Sequence, residues 1–139
     1  MNIHPTSLVD RHANVGEFVF VGPFTAINAG VEIGEGSKIG GHVLIDQDVR
    51  IGLNCRINSG CILTPGAHVA DDVRIGAGTI ISGRVQIGEN CQIGPGSILA
   101  GPYASEEGNL IIPAKTIVEP GAIITQEVAE YMFGVKAVV

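Results

Sequence analysis

Residues 33–57 read IGEGSKIGGHVLIDQDVRIGLNCRI and place Ile33, Ile39, Ile45, Ile51 and Ile57 six residues apart. Helices and strands repeat their side-chain directions every 3.6 and 2 residues, so a period of six belongs to neither alone. It fits a strand of about four residues and a two-residue corner, repeated. Outward from this stretch the series runs through Ile3, Val9, Val15, Val21 and Ile27 on one side. On the other it runs through Leu63, Val69, Ile75, Ile81, Ile87, Ile93, Leu99, Ser105, Ile111, Ile117 and Ile123, so that twenty of twenty-one positions are Ile, Val or Leu. Two residues before an aliphatic stands a small one, such as Ser37, Cys55, Cys61, Thr79, Cys91 or Ser97. Residues two apart on a strand share a side, so each unit sends one large and one small side chain inward. Glycines such as Gly34, Gly40, Gly52 and Gly76 directly follow the aliphatics and let the chain turn without a Cβ penalty. Three corners close a triangle of 18 residues. Stacked triangles pair every strand with the coils above and below at about 4.8 Å. The fold expected is an all-β parallel helix of about seven coils over residues 1–128, with 129–139 as a tail or cap.

Composition agrees with this reading. Of 139 residues, 20 are Gly and 7 Pro, the two worst helix formers, which argues against long helices. Aromatics are 4% with no Trp, so the core must be aliphatic. A net charge of −6 speaks against a nucleic-acid partner. No apolar run approaches the roughly 20 residues that span a bilayer, and the opening MNIHPTSLVD lacks a basic-then-apolar leader profile; the expectation is a soluble cytoplasmic protein. Cys55, Cys61 and Cys91 show no metal-ligand spacing and occupy inward small positions, so buried free thiols are expected.

The unbroken hexad series resembles the hexapeptide-repeat family of left-handed β-helices, best known as acyltransferases. The opening I-H-P-T-S-L-V at Ile3 to Val9 and the stretch Ile33 to Val43 are similar to the UDP-N-acetylglucosamine O-acyltransferase branch of lipid A synthesis. The resemblance implies the left hand, a homotrimer, active sites between subunits, and acetyl-CoA or another acyl thioester as co-substrate with no permanently bound cofactor. The acceptor it implies is a hydroxyl or amine of a sugar or nucleotide sugar.

Sorting residues by their place in the 18-residue coil separates three outer faces. One reads Leu8, Ala26, Leu44, Ile62, Ile80, Ile98, Thr116; an exposed apolar stripe of this length calls for a covering partner. A second carries Lys38, Arg56 and Arg74, a stack of like charges that Glu35, Asp71, Asp72 and Glu89 in the preceding corners are expected to neutralise. His42 sits between these two faces. An imidazole is suited to general-base catalysis, so His42 is the candidate base, Asp46 the group that orients it, and Lys38 and Arg56 the substrate contacts. The phase breaks at Ser105 within Gly101–Asn109, where Tyr103 is a further substrate candidate on a protruding loop. The ending resembles the family's coenzyme A segment at Tyr131, Gly134 and Lys136. Two other readings stand beside acyl transfer. One is a non-catalytic scaffold or assembly module. The other is a γ-type carbonic anhydrase, disfavoured because His4, His12, His42 and His68 do not follow that family's zinc-ligand spacing; no metal site is expected.

Overall fold

The computed structural model describes residues 1–103 and 108–134. Among the described residues twenty short strands form three parallel sheets of seven, seven and six strands, each strand hydrogen-bonded to the one three strands further along the chain. The molecule is thus a triangular parallel β-solenoid, as the hexad series requires. The basic sheet stacks Phe20–Val21, Lys38–Ile39, Arg56–Ile57, Arg74–Ile75 and Gln92–Ile93 in register. The apolar sheet stacks Leu8–Val9, Ala26–Ile27, Leu44–Ile45, Ile62–Leu63 and the strands that follow. The third, polar sheet contains Glu32–Ile33, Arg50–Ile51 and His68–Val69.

Inside the prism the in-register aliphatics pile into three columns. Ile39, Ile57 and Ile75 line one sheet, and Ile45, Leu63 and Ile81 another; all six are at most 1% exposed. The small inward positions are more than spacers. Ser37 Oγ donates to Gly52 O at 2.8 Å and Thr25 Oγ1 to Gly40 O at 2.7 Å. Cys55, Cys61 and Cys91 do the same through Sγ, to Ala70 O, Gly76 O and Pro113 O at 3.0–3.1 Å. Each donor satisfies a carbonyl that the next coil's corner turns inward, where an unpaired oxygen would be costly. All three thiols are buried and free, and burial pushes their pKa above the ordinary 9.0.

Two features differ from the hexad reading. First, Gln92 pairs with Ile117 and Gln86 with Ile111, 25 positions on, where Arg74 and Gln92 are separated by 18. The loop after Ile98–Ala100 therefore adds seven residues, not six, and the inward frame moves by one. Ile112, Val118 and Ile124 are buried, whereas Ile117 and Ile123 are 72% and 62% exposed. Paired aliphatics at 111–112, 117–118 and 123–124 fit either frame; Thr116 and Ala122, small and two before Val118 and Ile124, mark the right one. The outer apolar stripe accordingly ends at Ile123, partner of Ile98, and not at Thr116.

Second, the strands stop at Thr125 and helix α1 (Gln126–Phe133) follows. Thr125 caps its start, accepting from Val128 N, and Gly134 ends it in the left-handed region at φ 65°, its N–H donating to Glu130 O. The helix buries Ala129 and lies against strands Leu110–Ile112 and Ile123–Thr125. No helix among the described residues is long and apolar enough to cross a membrane.

Ile57→Ala, in the middle of a column, is expected to cost about 2–5 kcal/mol, read as a lowered urea midpoint. A thiol that stays protonated in the folded state contributes stability that is complete below the unfolded pKa near 9.0 and is lost as pH climbs through the raised folded values. Urea midpoints should therefore fall above about pH 9, and fall less in the triple variant Cys55→Ser, Cys61→Ser, Cys91→Ser, whose hydroxyls can make the same bonds.

Candidate functional site

The corner joining the basic sheet to the apolar sheet carries the column Thr6, Phe24, His42, Gly60, Gly78, Gly96 and Gly121. From the fourth coil on, the glycines hold φ between 70° and 77°. Phe24 and His42 occupy the same left-handed conformation, at φ 56° and 54°, although a side chain there costs roughly 1–2 kcal/mol. Gly78, Gly96 and Gly121 have nothing within 4 Å of a would-be Cβ, so it is the cost of the backbone angle, not lack of space, that favours glycine along this edge. The two rings stack, centroids 5.2 Å apart and planes tilted by 31°. Among the described residues the His42 imidazole has this ring contact and no hydrogen-bond partner. Its backbone N–H is anchored on Pro23 O at 2.9 Å.

Asp46 does not meet His42 within the chain. It lies at the far end of strand Leu44–Ile45, about 13 Å of extended chain away, in the corner joining the apolar sheet to the polar sheet. There its Oδ1 accepts from Asn28 Nδ2 at 2.9 Å and Gln47 N at 2.8 Å. Tyr103 belongs to this second corner too. Together with Thr64, Pro65, Ser82 and Arg84 it lines a mainly apolar cavity of about 390 Å³. Arg84 ties down the loop base, Nε donating to Gly108 O and Nη1 to Tyr103 O, both at 2.8 Å.

Lys38, Arg56 and Arg74 are in register on the basic sheet. Their expected neutralisation by corner acids does not occur: among the described residues the one ion pair is Arg50 with Glu32, at 3.6 Å on the polar sheet. Asp71 instead turns back to accept from Leu53 N at 2.8 Å. Tyr131, 93% exposed, and Gly134 lie on α1 and its cap at the end of the stack, and Lys136 falls outside the described residues.

The expected residues thus gather in three places. Lys38 leads through the corner at residues 40–42 to His42, Asp46 and Tyr103 share the opposite edge of the apolar sheet, and Tyr131 and Gly134 sit at the C-terminal end. Hexad reading passed over Phe24, although its position 18 before His42 was a sufficient signal, and Arg84, which no periodicity marks. His4 and His42 share the corner between the basic and apolar sheets but lie two coils apart, His12 is on the next corner and His68 on the polar sheet. Among the described residues no three His, Cys, Asp or Glu side chains converge as a metal site would require.

The family model of the GMPPB C-terminal domain matches residues 25–130, and the chain belongs to this family. No curated protein matches the sequence. Among solved structures, the acetyltransferase domain of PglB from Neisseria gonorrhoeae superposes with a TM-score of 0.71 at 17% identity, over 87% of this chain and 55% of that one. The UDP-N-acetylglucosamine acyltransferase of Arabidopsis gives 0.71 at 19%, over 89% and 53%. A GDP-perosamine N-acetyl transferase mutant from Caulobacter crescentus, in complex with CoA and GDP-perosamine, gives 0.59 at 22%, over 88% and 51%. The chain spans about half the length of these proteins. The shared architecture is the left-handed parallel β-helix of hexapeptide repeats.

Since the corner at residue 42 demands a left-handed backbone, His42→Gly should be more stable than His42→Ala by about 1 kcal/mol. Urea midpoints of the two variants check this.

Proposed function

We propose that the protein transfers an acyl group from a coenzyme A thioester to a hydroxyl or amine of a sugar or nucleotide sugar, as a homotrimer with His42 as general base. The observation that carries this reading is the His42–Phe24 pair, held in a costly left-handed backbone at the edge of the apolar sheet where later coils relax to glycine. Residues kept in sparsely populated conformations cluster at functional sites. The GDP-perosamine N-acetyl transferase, in complex with CoA and GDP-perosamine, supports the classes of donor and acceptor.

The trimer reading rests on the apolar sheet, whose outward column includes Leu8, 75% exposed, Ile62 and Ile123. In a cyclic trimer with the apolar sheets turned toward the threefold axis, neighbouring prisms meet edge to edge. The His42 corner of one subunit then faces the other corner of the next, which brings Asp46 and Tyr103 of the partner subunit toward the imidazole, which has no hydrogen-bond partner among the described residues of its own chain. Chemistry follows from that placement. One imidazole nitrogen takes the proton of the acceptor hydroxyl or amine as its lone pair attacks the thioester carbonyl. Collapse of the tetrahedral adduct breaks the C–S bond, and the leaving thiolate receives the proton from the imidazolium. Lys38 and Arg56 attract substrate phosphates, while Tyr131, Gly134 and Lys136 contribute to coenzyme A binding.

A second reading, a binding or assembly module without catalysis, is favoured by two observations. The family is described as a C-terminal domain, and His42 and Asp46 lie apart in one chain. Calorimetry with coenzyme A separates the two: the transferase binds it, the module does not. In the transferase, His42→Ala should abolish turnover with ligand affinity nearly unchanged; turnover that survives removes His42 from the mechanism. Ile62→Lys, which puts a charge into the apolar stripe, should dissociate the trimer in light scattering, whereas a wild type that is monomeric at micromolar concentration rules the trimer out.

A further inference from the structure

We infer that the groove beside Arg56 and Arg74 is an anion site for a ligand carrying two adjacent phosphates. The groove holds about 500 Å³ and is lined by Asn54, Arg56, Asp72, Arg74, Asn90 and Gln92. Its two arginines are direct partners on adjacent parallel strands, so their backbones are about 4.8 Å apart. Like charges directly opposite each other on a sheet destabilise it. Among the described residues neither guanidinium has an acidic partner within ion-pair distance. Asp72 shares the groove but forms no ion pair among the described residues, and Asp71 is spent on Leu53 N. The groove therefore keeps one net positive charge on a protein whose net charge is −6.

The remaining lining fits the same ligand. Asn54 and Asn90 stand two coils apart in one corner column, at φ 54° and 59°, with Asp72 between them at 58°. Gln92 continues the arginine column by one strand. Each guanidinium fork matches one phosphate with paired, charge-assisted hydrogen bonds, and the flanking amides supply further donors. Two forks on neighbouring strands match two linked phosphates better than one. The groove also exceeds what an inorganic anion fills, which leaves room for the organic part of a nucleotide-like ligand. Lys38, one strand below Arg56, does not line this groove, which is centred on Arg56 and Arg74. It lies across the basic sheet from the His42 corner and stands whether the chain is a transferase or a binding module.

The test uses inorganic pyrophosphate and orthophosphate in low-salt calorimetry on the full chain. Pyrophosphate should bind more tightly than orthophosphate and weaken with added salt. Arg56→Gln and Arg74→Gln should each weaken it by about tenfold or more, while Arg11→Gln, on another corner, should leave it unchanged. Both groove arginines are exposed, and circular dichroism of the variants verifies the fold. The proposal is overturned by any of three outcomes: no pyrophosphate binding at about 5 mM, where even a Kd of 1 mM would register; orthophosphate bound equally well; or Arg11→Gln weakening binding as much as the groove variants. Displacement of pyrophosphate by UDP or by coenzyme A then identifies which diphosphate source the groove accepts. A failure here leaves the His42 reading untouched, because the readout is binding and not turnover.

Discussion

One hydrogen bond, repeated along the chain, sets the rest of the structure: the N–H of a strand residue donates to the carbonyl seventeen positions on, in the next coil. Asn2 N to Val19 O, Lys38 N to Cys55 O and Arg56 N to Val73 O, at 2.8–2.9 Å, are instances from the first, third and fourth coils. This bond fixes the coil at 18 residues and puts like positions directly above one another. Inward aliphatics then have no choice but to stack on aliphatics, and outward residues form columns of fixed chemistry. Apolar, basic and polar faces are thus consequences of one register.

The corners show the same constraint acting on polar groups. A carbonyl turned inward at a corner has no strand partner, so the inward position fifteen residues earlier supplies a short donor. Ser, Thr and Cys serve equally, which is why the cysteines appear among serines and threonines and form no framework of their own. The left-handed residue of each corner is most easily Asn, Asp or Gly, and at the corner before the basic sheet Phe18, Asn54, Asp72, Asn90 and Lys115 hold it. At the corner between the basic and apolar sheets Phe24 and His42 hold it with their rings stacked on each other. The stacked pair, with an imidazole at its exposed edge, and not the backbone angle alone, marks the candidate site.

Much of this was legible in the sequence because the aliphatic series leaves one consistent fold, and because the columns follow from counting. The frame after the loop was not legible from aliphatics alone, since doublets such as Ile117-Val118 satisfy two phases; the small residues Thr116 and Ala122 carried the information. Asp46 was assigned to His42 by nearness in sequence, but four residues along a strand span the whole width of a sheet. The acids near Lys38, Arg56 and Arg74 were assigned as counter-ions for the same reason. Asp71 shows why this fails: a corner carboxylate is closer to unpaired backbone N–H groups than to a side chain on the adjoining face. Sequence counting gives the column of a residue reliably, and its partners only when they share that column.

The 25-residue coil also bears on how the chain finds its fold. Contacts in a solenoid join neighbouring coils, so each added coil closes a loop of one length, and the entropy lost is nearly the same at every step. Loop-closure entropy grows only as the logarithm of loop length. Closing 25 residues in place of 18 costs about 0.3 kcal/mol more on that scaling. Polymer statistics therefore leave this corner open to enlargement, with the order and rate of coil addition nearly unaffected, and an insertion here can diversify one edge of the prism without disturbing the coils on either side.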